Sequence, residues 1–277
     1  MVIDGKKIAK DIKEKLKEEI KTSGKKLKLV IVQVGDNPAS LKFIEKKEKF
    51  AEEIGVKTRV YKLPEDISTG KLRKKIAEIS HPKIGGKKDF GIIVQLPLPS
   101  HINTQYILDA ISLEKDVDML SAKAIGEFSA NKSKIFPPVV GAVKNILSLG
   151  GAAAKLAGKN IVVVGAGLLV GKPMAIWLIN EGATVSVLNK DTPDISKFTR
   201  EADIIISGAG SPGLIKPEMI KDGVVLIDSG ASEQFGKLVG DIDPACGAKA
   251  SLFTPVPGGV GPITVALVFK NLADLNK

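Results

Sequence analysis

The sequence predicts an α/β protein of two domains, and three observations predict it. Helix-like and strand-like segments alternate along almost the whole chain, which implies parallel strands covered by helices. A glycine-rich turn near residue 165 joins a β-rich run to a helix, the signature of a Rossmann-like nucleotide-binding domain. The length of 277 residues exceeds what one core usually organises.

The first helix is expected over residues 8–20, where Ile8, Ile12, Leu16 and Ile20 form one stripe. A buried strand follows at 27–34, then the turn Gly35-Asp36-Asn37-Pro38. Residues 40–54 are amphipathic and stop at Gly55, a good helix C-cap. A strand at 56–61 and a helix at 70–79 come next. The short apolar strand 91–95 runs into Leu96-Pro97-Leu98-Pro99, whose prolines end it. A helix is expected at 103–113. A second unit starts near Phe136-Pro137-Pro138, with a helix at 142–149 that runs into Gly150-Gly151. Strands follow at 160–164, 184–188, 203–207 and 224–228, with a helix after the glycine turn through Glu181. The last apolar helical stretch, 263–277, is expected to pack back on the first domain. The expected domains are therefore 1–138, with this final helix, and 139–262.

Composition excludes several classes. Hydrophobic residues make up 44% and charged residues 26%, which argues for a folded globular chain. No apolar run reaches the roughly 18 residues that span a bilayer, and the amino terminus lacks the apolar core of a secretory signal. The single Cys246 precludes an intramolecular disulfide and fits a reducing cytoplasm. Two histidines and one cysteine leave little for a His/Cys metal site, so none is expected. The net charge of +10 invites a nucleic-acid reading. Much of the excess lies in the first fifty residues on helical faces with acids interspersed, so solvated faces explain it better. Aromatics, at 4%, offer no stacking platform for bases. A basic protein can still favour small acidic substrates through its field.

The string IVVVGAGLLVGKPM places Gly165, Ala166, Gly167 and Gly171 in a GxGxxxG turn, one residue longer than the usual dinucleotide fingerprint. Gly165 permits the tight turn, Gly167 lets backbone approach a pyrophosphate, and the helix start offers unpaired N–H groups. The alternative is a tight connection and nothing more. At the tip of the next strand Lys190 would pair with the extra phosphate of NADP, while Asp191 beside it would suit the ribose of NAD. The expectation is NADP, with NAD open. Lys190 could equally be a solvated loop lysine. His81 and His101 read as surface residues, Trp177 as packing, and Cys246 has no base beside it.

Several segments, in order and over almost the whole chain, resemble the bifunctional methylenetetrahydrofolate dehydrogenase/cyclohydrolase family. They are VIDGKKIAKDI, VGDNPASLKFIEKKEKFAEEIGV, GIIVQLPLP, EKDVDML, VVVGAGLLVGKPM, GKLVGDID and TPVPGGVGPITV. The resemblance implies a folate-binding domain and a Rossmann domain with a cleft between them, tetrahydrofolate derivatives as substrates, and a cytoplasmic homodimer with no nucleic-acid or membrane partner. It implies oxidation of methylenetetrahydrofolate by NADP and hydrolysis of the methenyl product to formyltetrahydrofolate.

The resemblance also assigns residues. Lys47 matches the catalytic lysine, although Lys42, Lys46 and Lys49 are near it and the residues alone do not select it. Burial would bring its pKa down from about 10.4 to a usable range. Gln95 matches the glutamine that hydrogen-bonds that lysine. Asp118 matches the aspartate that binds the pterin, with Asp116 as a nearby decoy suited to capping a turn. Phe43, Val94, Leu96, Pro255, Pro257, Gly258, Gly259, Gly261 and Pro262 fall where the folate is contacted, and Ala231 where the cofactor is. The prolines and glycines of 255–262 could also be a rigid interdomain turn.

This chain departs from the family at marked places. Phe43 replaces a tyrosine and lacks its hydroxyl. Met119 replaces a glycine, Phe136-Pro137-Pro138-Val139 replaces a PCTP segment, Gly167 replaces a common serine, and Asp228-Ser229-Gly230-Ala231 replaces DVGI. Retention of one activity alone is thus a rival reading. Others are a shikimate-like NADP-dependent dehydrogenase of another small acid and a basic RNA-binding protein.

Overall fold

The computed structural model describes residues 1–81, 89–149 and 156–277. The expected Gly150-Gly151 stop lies outside the described residues. The chain divides into two compact units. The first contains Lys10–Pro138 and Val265–Lys277, the second Met1–Ala9 and Val139–Thr264.

The first unit is built on β1 (Lys28–Val34), β2 (Lys57–Leu63) and β3 (Phe90–Val94). All pair in parallel in the order β2-β1-β3. The central β1 and β3 are buried almost throughout, and the edge strand β2 alternates. One face is covered by α1 (Gly5–Ser23), α2 (Pro38–Glu53) and α9 (Val260–Leu275), the last numbered by its place in the chain. Leu16 and Ile20 of α1, Ile44 and Ala51 of α2, and Phe269 and Leu272 of α9 share a core with Leu29, Ile31 and Ile93 of the sheet. Phe50 and Phe269 stack with ring centroids 5.1 Å apart. Helix α2 begins where it does because Asn37 Oδ1 accepts from Ser40 N at 3.1 Å and Pro38 occupies the first turn.

After α3 (Thr69–Ser80), the sequence predicted one helix at 103–113. The structure stops it early, as α4 (Thr104–Leu108). Ala110 N and Ile111 N bond carbonyls only three residues back. Ser112 N then turns to Ser80 Oγ at 2.8 Å. Ile107, Leu108, Ala110 and Ile111 are all buried, so the apolar run carried no sign of the break. Beyond it Asp116 bridges Ile92 of β3 in parallel, and α5 (Ala122–Ser129) starts at a Ser121 cap. The sequence reading had not identified α5.

The second unit opens with α6 (Pro138–Leu149) and holds β4 (Asn160–Val164), α7 (Gly171–Asn180), β5 (Thr184–Leu188), α8 (Ser196–Thr199), β6 (Ile204–Ser207) and β7 (Val225–Asp228). A hairpin, β8 (Ser232–Gln234) with β9 (Lys237–Val239), precedes β10 (Leu252–Phe253). The five-stranded sheet runs β10-β7-β6-β4-β5, all parallel. The chain leaves β4 for β5 on one side and returns to β6 on the other. The carboxyl ends of β4 and β6 therefore form the crevice in which such sheets bind ligands. Residues 1–9 were expected in the first domain, but they group here. Ile3 N donates to Phe253 O and Phe253 N to Met1 O, both at 2.9 Å, so the amino terminus lines the exposed side of β10. Among the described residues, no helix is long and apolar enough to cross a membrane.

Phe269 is fully buried and carries the stack against Phe50. Phe269→Ala should therefore cost the first unit about 3–5 kcal/mol, read as a lower midpoint in urea unfolding followed by circular dichroism.

Candidate active site

Helix α2 turns one stripe toward the sheet: Ser40, Ile44, Lys47, Ala51 and Ile54 are all buried. Lys42, Lys46 and Lys49 are exposed. A lysine on an apolar stripe is the signal that separates Lys47 from its neighbours, and it was available in the sequence. Its Nζ donates to Gln95 Oε1 at 2.9 Å. Burial holds the Lys47 pKa below the ordinary lysine value, with the charge of Asp118 opposing that shift.

Gln95 sits one residue past β3, and its N–H extends the ladder to Val32 O at 2.9 Å. Its Nε2 donates to Leu96 O at 2.9 Å. That bond fixes which way the amide faces, so the oxygen is the atom offered to Lys47. Ser40 Oγ reaches the same Leu96 carbonyl at 3.5 Å. Val94, an expected substrate contact, is buried, and strand alternation turns its side chain to the sheet face opposite Gln95. Only its backbone lies toward Lys47.

Asp118 follows the Asp116 bridge to β3 and is part-buried. Burial pushes its pKa up to about 6, with Lys47 opposing and Asp116 adding to the rise. Asp116 is a loop anchor: its carboxylate accepts from Leu120 N at 3.3 Å and Ser121 N at 2.8 Å. Between them Met119 adopts φ +57°, the conformation that suits the family's glycine. Its side chain is buried, with Ser133 Oγ 3.9 Å from the sulfur. Phe43, one turn before Lys47, is half-buried and has the Lys46 ammonium 5.3 Å from its ring centroid.

In the second unit the glycine turn lies at the carboxyl end of β4, where Gly165 has φ +102°. A Cβ on Gly171 would stand 1.9 Å from Gly165 O, and one on Gly165 would stand 2.6 Å from Gly208 O. A Cβ on Gly167 would meet nothing within 4 Å. The start of α7 has no side-chain cap. In the first turn of α7 Lys172 N bonds Gly167 O at 3.0 Å and Pro173 has no N–H, so the fit to a dinucleotide rests on the tight turn at Gly165 and the open space over Gly167. Lys190 is exposed just beyond β5, whose Leu188 carbonyl accepts from Gly165 N at 2.8 Å.

Two buried carboxylates, which sequence reasoning had given no role, frame this crevice. Asp241 accepts from Ser207 Oγ at 2.8 Å, Ala209 N at 2.7 Å, Gly210 N at 3.3 Å and Ser211 N at 2.8 Å. Asp228 accepts from Gly230 N at 2.9 Å, Asp241 N at 3.2 Å and Ile242 N at 2.8 Å. Burial pushes the Asp228 pKa up to about 6. Ala231 follows, exposed, at the foot of the hairpin. The expected substrate segment also belongs to this unit. Thr254 Oγ1 accepts from Asp228 N at 2.6 Å, Gly259 N closes a turn on Pro255 O at 2.8 Å, and Gly258 has φ +108°. Pro257 is exposed, and Gly261 with Pro262 lies in the first turn of α9.

The remaining candidates stay outside the chemistry. His101 is exposed with a ring nitrogen 3.1 Å from Ile67 O. Cys246 is buried, and burial pushes its thiol up to about 11. Trp177 packs inside, with Nε1 donating to Glu181 Oε1 at 2.8 Å. Among the described residues no cluster of His, Cys, Asp or Glu could hold a metal ion.

Known proteins repeat this arrangement. A family model described as the tetrahydrofolate dehydrogenase/cyclohydrolase catalytic domain matches residues 3–118, and one described as that family's NAD(P)-binding domain matches residues 137–277. The chain belongs to this family. It is 42% identical to the bifunctional protein FolD of Hydrogenobaculum over 98% of this chain and 96% of that one. The crystal structure of the bifunctional FolD enzyme of Campylobacter jejuni superposes with a TM-score of 0.92 at 39% identity, covering 99% of this chain and 98% of that chain. The Trypanosoma brucei FolD, solved with NADP and an inhibitor, gives 0.91 at 34% identity, covering 99% and 96%. A shikimate dehydrogenase fusion from Clostridium acetobutylicum matches at 0.52 and 12% identity, a likeness of fold alone.

The Gly171 packing makes a sharp test of the family's dinucleotide site. Gly171→Ala must push the Gly165 carbonyl aside, at a cost of about 1–3 kcal/mol. Dinucleotide affinity, followed by Trp177 fluorescence, should fall at least tenfold.

Proposed function

We propose that this chain oxidises methylenetetrahydrofolate to methenyltetrahydrofolate with NADP and hydrolyses the methenyl product to formyltetrahydrofolate. The observation that supports it best is the buried amine of Lys47 held 2.9 Å from Gln95 beside Asp118. Bound NADP supplies the hydride acceptor for the first step. Gly165, Ala166, Gly167 and Gly171 would hold its pyrophosphate, Lys190 would pair with the extra phosphate that distinguishes NADP from NAD, and Ala231 would be a further cofactor contact.

The hydrolytic step belongs to Lys47. In its neutral form, which burial favours, the amine gives one N–H to Gln95, and that bond directs the lone pair. Water adds to the methenyl carbon and loses a proton to the lone pair. The C–N bond of the ring then breaks, the nitrogen takes a proton back from the ammonium, and the new hydroxyl releases its own as the formyl group forms. One proton leaves per turnover. Asp118 accepts two N–H groups from the aminopyrimidine side of the pterin, a bidentate fit. Phe43 and Leu96 supply apolar contact to the folate, with the Val94 backbone beside them. Family membership makes Pro255, Pro257, Gly258, Gly259, Gly261 and Pro262 the remaining folate-contacting residues of this reading. The same reading, from family membership, makes the protein a cytoplasmic homodimer.

Lys47→Met should bind folate normally and lose methenyl hydrolysis, with methenyl appearance and decay followed separately by absorbance. Undiminished hydrolysis in that variant removes Lys47 from the mechanism. Asp118 acts as a carboxylate, and its pKa is raised to about 6, so it is ionised above that value and protonated below it. The KM for folate should therefore rise as pH falls through about 6. Asp118→Asn should raise KM at every pH and flatten that dependence.

A further inference from the structure

Among the described residues, Gln33 Oε1 is a buried side-chain oxygen with no hydrogen-bond partner. Gln33 is only 2% exposed. Its Nε2 donates to Gly35 O at 2.8 Å, which settles the amide's orientation and leaves the unpaired atom an acceptor only. A buried amide oxygen without a donor is costly, and its persistence calls for a partner that arrives with function.

The sheet register shows where that oxygen belongs. Val32 pairs with Val94, and Gln95 N donates to Val32 O. Gln33 and Gln95 are therefore successive cross-strand neighbours, one strand apart. Strand alternation puts Gln33 on the face of Ile31, and Gln95 on the face of Ile93. Ile31, Ile93 and Ile44 of α2 share one core cluster, so both amides lie on the sheet face that α2 covers together with α1 and α9. Lys47 reaches that face from α2 and already bonds Gln95. An ammonium carries three donors, and Gln95 Oε1 takes one. The charged groups around Lys47 are Asp118 and, behind it, Asp116.

We propose that Gln33 is a positioning residue for hydrolysis: its free Oε1 accepts a hydrogen bond, directly or through one water, from Lys47 once the amine has taken the proton of the attacking water. This rests on the reading of Lys47 as the proton-handling group. The acceptor stabilises the ammonium and so raises the pKa of Lys47 against the burial that lowers it. The neutral form is the active base, so the rising limb of the pH profile reports that pKa.

The test is the pH profile of methenyl hydrolysis in the wild-type chain, Gln33→Met and Gln33→Glu. Gln33→Met, similar in size but without the acceptor, should move the rising limb to lower pH by about one unit. Gln33→Glu adds a negative charge and should move it to higher pH. A role in packing alone would not shift the limb in opposite directions. Circular dichroism and urea unfolding check that each variant is folded, and if the glutamate variant fails that check, the methionine variant alone decides. A limb that does not move in Gln33→Met overturns the proposal. Absence of a limb that depends on Lys47 in the wild-type chain overturns instead the reading it rests on.

Discussion

The first unit is organised around one expensive contact, the buried hydrogen bond between Lys47 and Gln95. Removing an ammonium from water costs several kcal/mol even after relaxation. A hydrogen bond to a charged group returns about 1.5–3 kcal/mol. Desolvation therefore wins, and the amine is driven toward its neutral form. Asp118 opposes that drive, but burial pushes its own pKa up to about 6 as well. The outcome is an amine whose pKa is lowered and a carboxyl whose pKa is raised, the direction of tuning that acid–base chemistry uses.

Holding that pair in place explains features remote from it. A Cβ on Gly91 would lie 2.3 Å from a Val117 methyl and 3.0 Å from Leu272. The missing side chain lets the 116–118 segment and α9 close onto the face that also carries Gln95. Asn271 of α9 donates to Val117 O at 2.9 Å and Phe136 O at 2.8 Å, which ties that segment down. Asp116 then pins the loop beyond. The second unit uses the same device, since Asp241 gathers Ser207 Oγ and three loop N–H groups at the end of β6. In both units a buried carboxylate accepts from backbone donors of the loop around it, which keeps a functional loop rigid without a longer element.

Elements held by local pattern were legible in the sequence; elements held by distant partners were not. The alternation of strands and helices, the glycine turn and the turn at 35–38 all rest on neighbours in the chain. The early end of α4 depends on Ser80, some thirty residues away, and on burial from several sides that hides any period. The roles of Asp228 and Asp241 arise from strands brought together by the sheet. The orientation of the Val94 side chain follows from simple alternation once Gln95 is placed. Lys47 came to notice only through the family resemblance, although the stripe Ser40-Ile44-Lys47-Ala51-Ile54 already marked it as a cation on an apolar face.

The departures from the family can be weighed on the same grounds. Met119 takes a backbone conformation in which glycine is at ease, at a cost of about 1 kcal/mol. Its buried side chain contributes apolar burial of similar or larger size, about 1.5–3 kcal/mol, so the exchange is tolerable. Phe43 is a different matter, because a hydroxyl can hold or pass a proton and a phenyl ring cannot. The amine one turn away does not depend on it for orientation: Gln95 fixes it, and the Leu96 carbonyl fixes Gln95. What the lost hydroxyl could have supplied is an acceptor for the proton-bearing amine. Gln33, buried on the same sheet face with an oxygen to spare, has the chemistry to fill that role, and the substitution at residue 43 is consistent with a site whose proton is handled from the sheet side rather than from the helix.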